Sequence, residues 1–506
     1  MVSLNYIDVL IILIFFTAVI VIGFLPRKSG KGETENFLLS GRKVGLLLFV
    51  FTNVATWYGG ILGVGEFTYK YGLASWFTQG LPYYIFALLF ALFLAEKVRG
   101  ASLFTIPEKF EKIYGAKTSL LASILIFVLV SPASYMLMIG YLIALIFKID
   151  IIWGLLITGI STAAYMMKGG FKSDIYTDVF EFFIMFGGFI VIVVAAYYSF
   201  GGVSFLEQKL PAEHLTLTGG ASPFYLFVWF LIALWTFTDP GFHQRTNAAK
   251  DGRTAKWGII ISILFWALFD FLTTSTGLYA KASMPSLENP VLSFPLLAEK
   301  ILSPGLKGLF YAGMFATVLS TLNSFVFLSA TTVGYDIIYK FQKVKDEKKI
   351  ISYTRLGIII TTILGIILAY FFKSIIDIWF TIGSICIPGL ILLIIGAYYE
   401  KFRISGRWAV IEIIASSGAA LIWFIIRPGF EGKTIYDLEP MIVGLVVAGA
   451  VHMQGKRQIK DKNLKTGHAP SQTFIIKRPV EGKPINISTA INDCINDERR
   501  VITITE

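Results

Sequence analysis

The 506-residue sequence is 55% hydrophobic and only 15% charged, with a mean hydropathy of +0.70, whereas soluble domains carry about a quarter charged residues; a soluble globular fold is excluded. Two cysteines and four scattered histidines leave no disulfide framework and no Cys-built zinc centre. The net charge of +11 is dispersed over segments between apolar runs, so it reads as membrane topology rather than as a nucleic-acid surface.

The first apolar run, 5–25, is too long for the core of a signal peptide and has no basic leader or small-residue cleavage site. It is read as a helix crossing the bilayer, which takes about 20 residues. Further spans are expected at 44–68, 73–95, 118–147, 150–167, 175–199, 222–244, 257–280, 307–339, 351–371, 375–399, 408–426 and 438–454. The expected class is an all-α polytopic membrane protein of about thirteen helices; barrel strands would alternate over segments of about 10 residues instead. Lys and Arg gather in 26–43, 96–117, 245–256 and 340–355. That bias predicts a plasma (inner) membrane protein with its N-terminus outside and its C-terminus cytoplasmic. The polar stretch 455–506 reads as a cytoplasmic tail: 455–472 as linker, "TFIIKRPV" and "RRVITITE" as short strands.

Two spans interrupt themselves. The second breaks at "ATWYGG", with Gly59 and Gly60; the seventh breaks at Asp239-Pro240-Gly241, where the proline lacks an amide donor. In hydrocarbon, irregular backbone survives only where it is buried or lines a cavity. Each break opens a set of five spans, 44–199 and 222–399, a pattern that points to inverted repeats around a midplane site. The ninth span carries Thr317, Ser320, Thr321 and Ser324 at three- and four-residue spacing, with Asn323 beside them. Such hydroxyls on one face either pack helices together or offer neutral oxygens to a hard cation. Glu66, Asp178, Glu181, Asp239 and Asp270 fall in or near spans, where a central carboxylate costs at least about 2.5 kcal/mol and marks a candidate functional group. Glu66 and Asp178 lie toward span ends and are open to an interfacial, solvated reading. No Walker-type loop and no catalytic constellation is present, so an enzyme is not expected.

"ENFLLSGRKVG", "GGFKSDIYTDVFEFFIMFGG", "DPGFHQRTNAAKD" and "AGMFATVLSTLNS", in this order, resemble motifs of the sodium:solute symporters over about residues 5–450. The resemblance implies the leucine-transporter fold, a 5+5 inverted repeat with two broken helices, and alternating access. It implies an extra N-terminal helix with its loop (1–43), a ten-helix core (44–399), two peripheral helices (400–454) and the tail (455–506). Sodium, the coupling ion, would be held by carbonyls of Phe51, Val54 and Thr317 and hydroxyls of Ser320 and Thr321; no cofactor is implied. A second cation site would involve Asp178, Ser320, Asn323 and Ser324. The solute would meet Asn53, Trp57, Tyr58, Gln79, Trp235, Asp239 and Trp379. The Trp and Tyr faces suit cations, and Asp239 either holds an amine or caps the broken helix; an amine-bearing or cationic solute is favoured. Expected partners are this solute, sodium and the lipid bilayer, with the protein a monomer or weak oligomer. A proton-coupled carrier and a transporter-like sensor are the alternatives.

Overall fold

The computed structural model describes residues 3–24, 33–342, 346–371, 375–432, 434–466, 472–474 and 500–502. In chain order the helices are α1 (Tyr6–Phe24), α2 (Glu33–Leu39), α3 (Leu46–Trp57), α4 (Ile61–Tyr71), α5 (Leu81–Phe93), α6 (Ala95–Gly100), α7 (Ile106–Tyr114), α8 (Ala116–Leu129), α9 (Ala133–Phe147), α10 (Ile151–Phe200) and α11 (Val203–Lys209). There follow α12 (Pro223–Ile232), α13 (Trp235–Thr238), α14 (Pro240–Ala248), α15 (Gly252–Ser283), α16 (Ser293–Ile301), α17 (Leu306–Thr331), α18 (Glu347–Phe371), α19 (Ile375–Tyr398), α20 (Gly406–Ile426) and α21 (Pro440–Thr466). Local signals set several starts. The side chains of Asp150, Ser222 and Asp251 accept amide hydrogens from the first turns of α10, α12 and α15, satisfying donors that a helix start leaves open.

Among the described residues, ten helices are long and apolar enough to cross a membrane, and eleven if the bent pair α3–α4 is one span. The expected spans 150–167 and 438–454 fall on the start of α10, whose apolar stretch Ile151–Ala164 is shorter, and on the start of α21. Three features differ from the sequence reading. The loop expected at 168–174 is a turn inside α10, made at Gly170 with φ +59° and ψ −169°, a conformation open to glycine alone. The expected span 118–147 breaks between α8 and α9, where Pro132 caps α9 and cannot continue the helix before it. The stretch read as linker is helical to Thr466; its Lys, Arg, Gln and Leu are good helix formers and prolong α21 beyond its apolar part. Beyond it, β1 (Gln472–Phe474) and β2 (Arg500–Ile502) pair in parallel, inside and beside the two segments expected to form strands.

Helix α17 lies at the centre: nearly all of Phe310–Thr331 is buried, against α10, α1, α3 and α9. Helix α1 is locked to it by Asp8. This carboxylate accepts amide hydrogens from Gly305 (2.7 Å) and Gly308 (2.8 Å) at the start of α17, and from Asn5 (2.9 Å). The two broken spans also meet. Val44, just before α3, accepts from Lys250 N (3.0 Å) and donates to Ala248 O (3.1 Å), at the end of α14.

Candidate functional site

Helices α3 and α4 diverge by 56° around Tyr58, Gly59 and Gly60. The last four carbonyls of α3, Val54 to Trp57, have no next turn to bond. Two of them receive hydroxyls from α17: Ser320 Oγ donates to Ala55 O (2.9 Å) and Thr321 Oγ1 to Thr56 O (2.6 Å). Ser320 Oγ also lies 3.1 Å from Thr317 O. Helices approach this closely because Gly59 has no side chain; a Cβ there would meet Thr321 Cγ2 at 2.7 Å, and Thr321 Cβ and Oγ1 nearer still. Of the five expected sodium ligands, Thr317, Ser320 and Thr321 come together here, and the carbonyls of α3 that the two hydroxyls meet are those of Ala55 and Thr56, one and two residues after the expected Val54. Phe51 sits a turn earlier, where its carbonyl belongs to the helix ladder and its ring packs on Phe182 and Phe183.

Next to this junction, Asp174, Asp178 and Glu181 recur at i, i+4 and i+7 on α10, one face of the helix, and all three are fully buried. The Arg245 guanidinium from α14 enters among them. Its Nη2 lies 3.4 Å from Asp178 Oδ2 and 3.6 Å from Asp174 Oδ2, and donates to Thr56 Oγ1 (2.5 Å) and Ser324 Oγ (2.8 Å). Ser324 donates to Asp174 (2.5 Å) and Thr52 to Asp178. Burying ions this deep is sustained only by such pairing. Arg245 thus occupies the place where the second cation is expected, between Asp178 and Ser324. Asn323 is not part of this cluster; it lines an apolar groove with residues of α1, α9 and α10. The solvated reading of the span-end acids fails for Asp178 and for Glu66, which is buried and paired with Lys70 at 2.6 Å.

A cavity opens at the breaks. Trp57, Tyr58, Gln79, Trp235, Asp239 and Trp379 line it as expected from the sequence; Asn53 does not, being buried within α3 with its amide nitrogen unbonded among the described residues. Trp57 stacks on Trp266 (centroids 4.8 Å apart) and meets Tyr83 edge-on (5.4 Å). Trp379 Nε1 donates to Ser134 Oγ (3.2 Å), and its ring packs where Gly60 has no Cβ. Asp239 is in extended conformation between α13 and α14, and its Oδ1 accepts from Gly241 N (2.6 Å) and Phe242 N (3.1 Å). Sequence reasoning missed Tyr83, Tyr135, Trp229 and Phe325 in the wall; single aromatics in an apolar span carry no signal of which way they face. It also left Asp270 out of the lining. Asp270 is there, accepting from the Tyr84 hydroxyl, and its signal was its charge at membrane depth.

Two broken helices, a central helix with hydroxyls on the freed carbonyls, and a cavity between them define a secondary active transporter of the leucine-transporter fold. A Na+-coupled sialic acid symporter in its substrate-bound outward-open state has this fold: TM-score 0.76 at 17% identity, covering 90% of this chain and 98% of that one. MhsT in complex with L-phenylalanine is a more distant structural relative, with TM-score 0.53 at 13% identity over 82% of this chain and 99% of that one. Residues 37–430 match the sodium:solute symporter family, and the chain belongs to that family. Similar sequences include the osmoregulated proline transporter of Bacillus subtilis (strain 168), 25% identical over 88% of this chain and 94% of that protein. The sodium/pantothenate symporter of Escherichia coli (strain K12) is 26% identical over 76% and 83%. The protein is accordingly a multi-pass membrane transporter, not an enzyme, and sodium is its coupling ion.

Proposed function

We propose that this symporter imports a small amine-bearing or quaternary ammonium solute into the cytoplasm, with its N-terminus outside. The observation that carries this reading is the cavity wall. It combines Trp57, Trp229, Trp235 and Trp379 with two carboxylates, Asp239 and Asp270, and among the described residues includes no Lys, Arg or His. Aromatic faces attract desolvated cations by about 2 kcal/mol or more, and the carboxylates add charge of the right sign. The proline and pantothenate carriers among its relatives are compatible with a site that varies on a common scaffold. Core residues 44–199 and 222–399 form the two repeats that rock about this cavity.

Sodium, in this reading, sits between α17 and the freed end of α3. The hydroxyls of Ser320 and Thr321 donate toward the carbonyls at the break and keep lone pairs for the ion; the carbonyls of Val54 and Thr317 complete a neutral oxygen set. Sodium coordination would fix α17 against the break and so link ion binding to the shape of the solute cavity. Uptake into proteoliposomes under a sodium gradient, with choline, proline and glucose as competing solutes, tests both halves. Ser320→Ala and Thr321→Ala should each raise the sodium concentration for half-maximal uptake. Unchanged values in both variants would remove this site, and stronger competition by glucose than by amines would remove the solute reading. A proton-coupled carrier is the second reading. It is favoured by Glu181, fully buried with neither carboxylate oxygen hydrogen-bonded among the described residues; uptake driven by a proton gradient without sodium would establish it.

A further inference from the structure

The two carboxylates of the cavity differ in what already compensates them. Asp239 Oδ1 takes the amide hydrogens of Gly241 and Phe242 at the start of α14. The positive end of that helix, worth about half an elementary charge, lies against it. Asp239 therefore fills the slot that a half-helix N-terminus otherwise offers to an anionic group of a solute. Asp270 lies within α15, which continues on both sides of it, and none of the described backbone amides donates to its carboxylate. Its Oδ2 accepts from the Tyr84 hydroxyl, the Tyr58 hydroxyl lies beside the carboxylate, and among the described residues no Lys, Arg or His lines the cavity. In a low-dielectric site a carboxylate held by hydroxyls alone, with no cation beside it, is costly and attracts one.

The wall around Asp270 is shaped for one. Trp266, one turn earlier on α15, stacks on Trp57, and Tyr58 donates to Trp266 O at 2.6 Å. Trp57, Tyr58 and the carboxylate thus share one side of the cavity. Gly80 leaves room for the Tyr84–Asp270 pair, since a Cβ there would lie 2.8 Å from Asp270 Oδ2 and 3.0 Å from the Tyr84 hydroxyl oxygen.

Resting on the cationic reading above, we propose that Asp270 holds the positively charged group of the solute and that the cavity selects cations lacking a carboxylate. A carboxylate on the solute would face two aspartates, no basic side chain, and a helix start whose first amides are already taken. Zwitterionic amino acids are therefore poor ligands, although relatives carry proline.

Tryptophan fluorescence titrations of the purified full chain in sodium, with choline, phenethylamine, proline and glucose as probes, test this. The wild type should bind at least one amine and prefer it to proline. Asp270→Asn should weaken that amine by about tenfold or more, and by more than Asp239→Asn does. Sodium-induced thermal stabilisation reports folding of each variant. Should Asp270→Asn fail it, Gly80→Ala, which crowds Oδ2, must weaken the amine in its place. If the amine is preferred but Asp270→Asn leaves it unchanged, or Asp239→Asn costs more, Asp270 is not the anchor while the cationic reading stands. If proline is bound as well as the amine, the exclusion of carboxylates fails. A wild type that binds neither amine at 10 mM, or prefers glucose, overturns the cationic reading and this inference with it.

Discussion

Gly59→Ala puts the ion site under direct mechanical test. The added methyl would lie 2.7 Å from Thr321 Cγ2 and nearer to its Cβ and Oγ1, whereas carbon atoms rest at about 3.5–4.0 Å. The break and α17 must therefore separate locally by about 1 Å. Thr321 cannot turn away without losing its 2.6 Å bond to Thr56 O. Overpacking of this kind costs about 1–3 kcal/mol. If sodium binding requires the close approach, that cost appears in sodium affinity as a roughly 5- to 150-fold rise in half-saturation. Sodium-induced thermal stabilisation and sodium-dependent uptake both read it. Gly60→Ala is the contrast: its methyl meets Trp379 Cζ2 at 2.6 Å, so it should weaken the solute more than sodium. A folded Gly59→Ala protein with wild-type sodium half-saturation would refute the assignment of the ion to this junction.

Trp57→Ala removes a ring stacked on Trp266 and a cation-facing surface; solute affinity should fall about thirtyfold, near 2 kcal/mol, with sodium-induced stabilisation retained. Arg245→Met leaves Asp174 and Asp178 buried without their cation, a loss of about 3–5 kcal/mol. Size-exclusion profiles should lose the monodisperse peak, and adding Asp178→Asn should restore part of it; a normal profile for the single variant would contradict the ion-pair account. Asp8→Ala strands three amide donors between α1 and α17. It should destabilise by about 1–3 kcal/mol, seen as a lower melting temperature with sodium half-saturation unchanged.

Much of the architecture was legible in the sequence because its signals are local. Hydropathy placed the ninth span at 307–339, and the apolar helical stretch runs Leu306–Tyr339. Gly59-Gly60 and Asp239-Pro240 located both breaks, since glycine and proline alter the backbone wherever they stand. Pro132 carried the same kind of signal for the α8–α9 break and went unread. Hydropathy alone puts Gly170 in a loop between two spans, whereas one residue with positive φ suffices to redirect α10.

The sites divide in the same way. Composition and spacing singled out Ser320 and Thr321 on the ninth span; residue type singled out Asp239 and the family resemblance Trp57, these two each beside a break that the sequence announces. Tertiary packing decided the pairings. Arg245 of α14 meets Asp174 and Asp178 of α10 and Ser324 of α17 and so fills an expected cation site. Asp270 joins Tyr84 across 186 residues of chain and enters the cavity, while Asn53, beside the first break, stays outside it. The sequence determined which residues are too polar for lipid and where the backbone must open. Which of them compensate one another, and which carboxylate is left facing the cavity, followed only from helix packing, because charge compensation depends on distances between segments that no local pattern encodes.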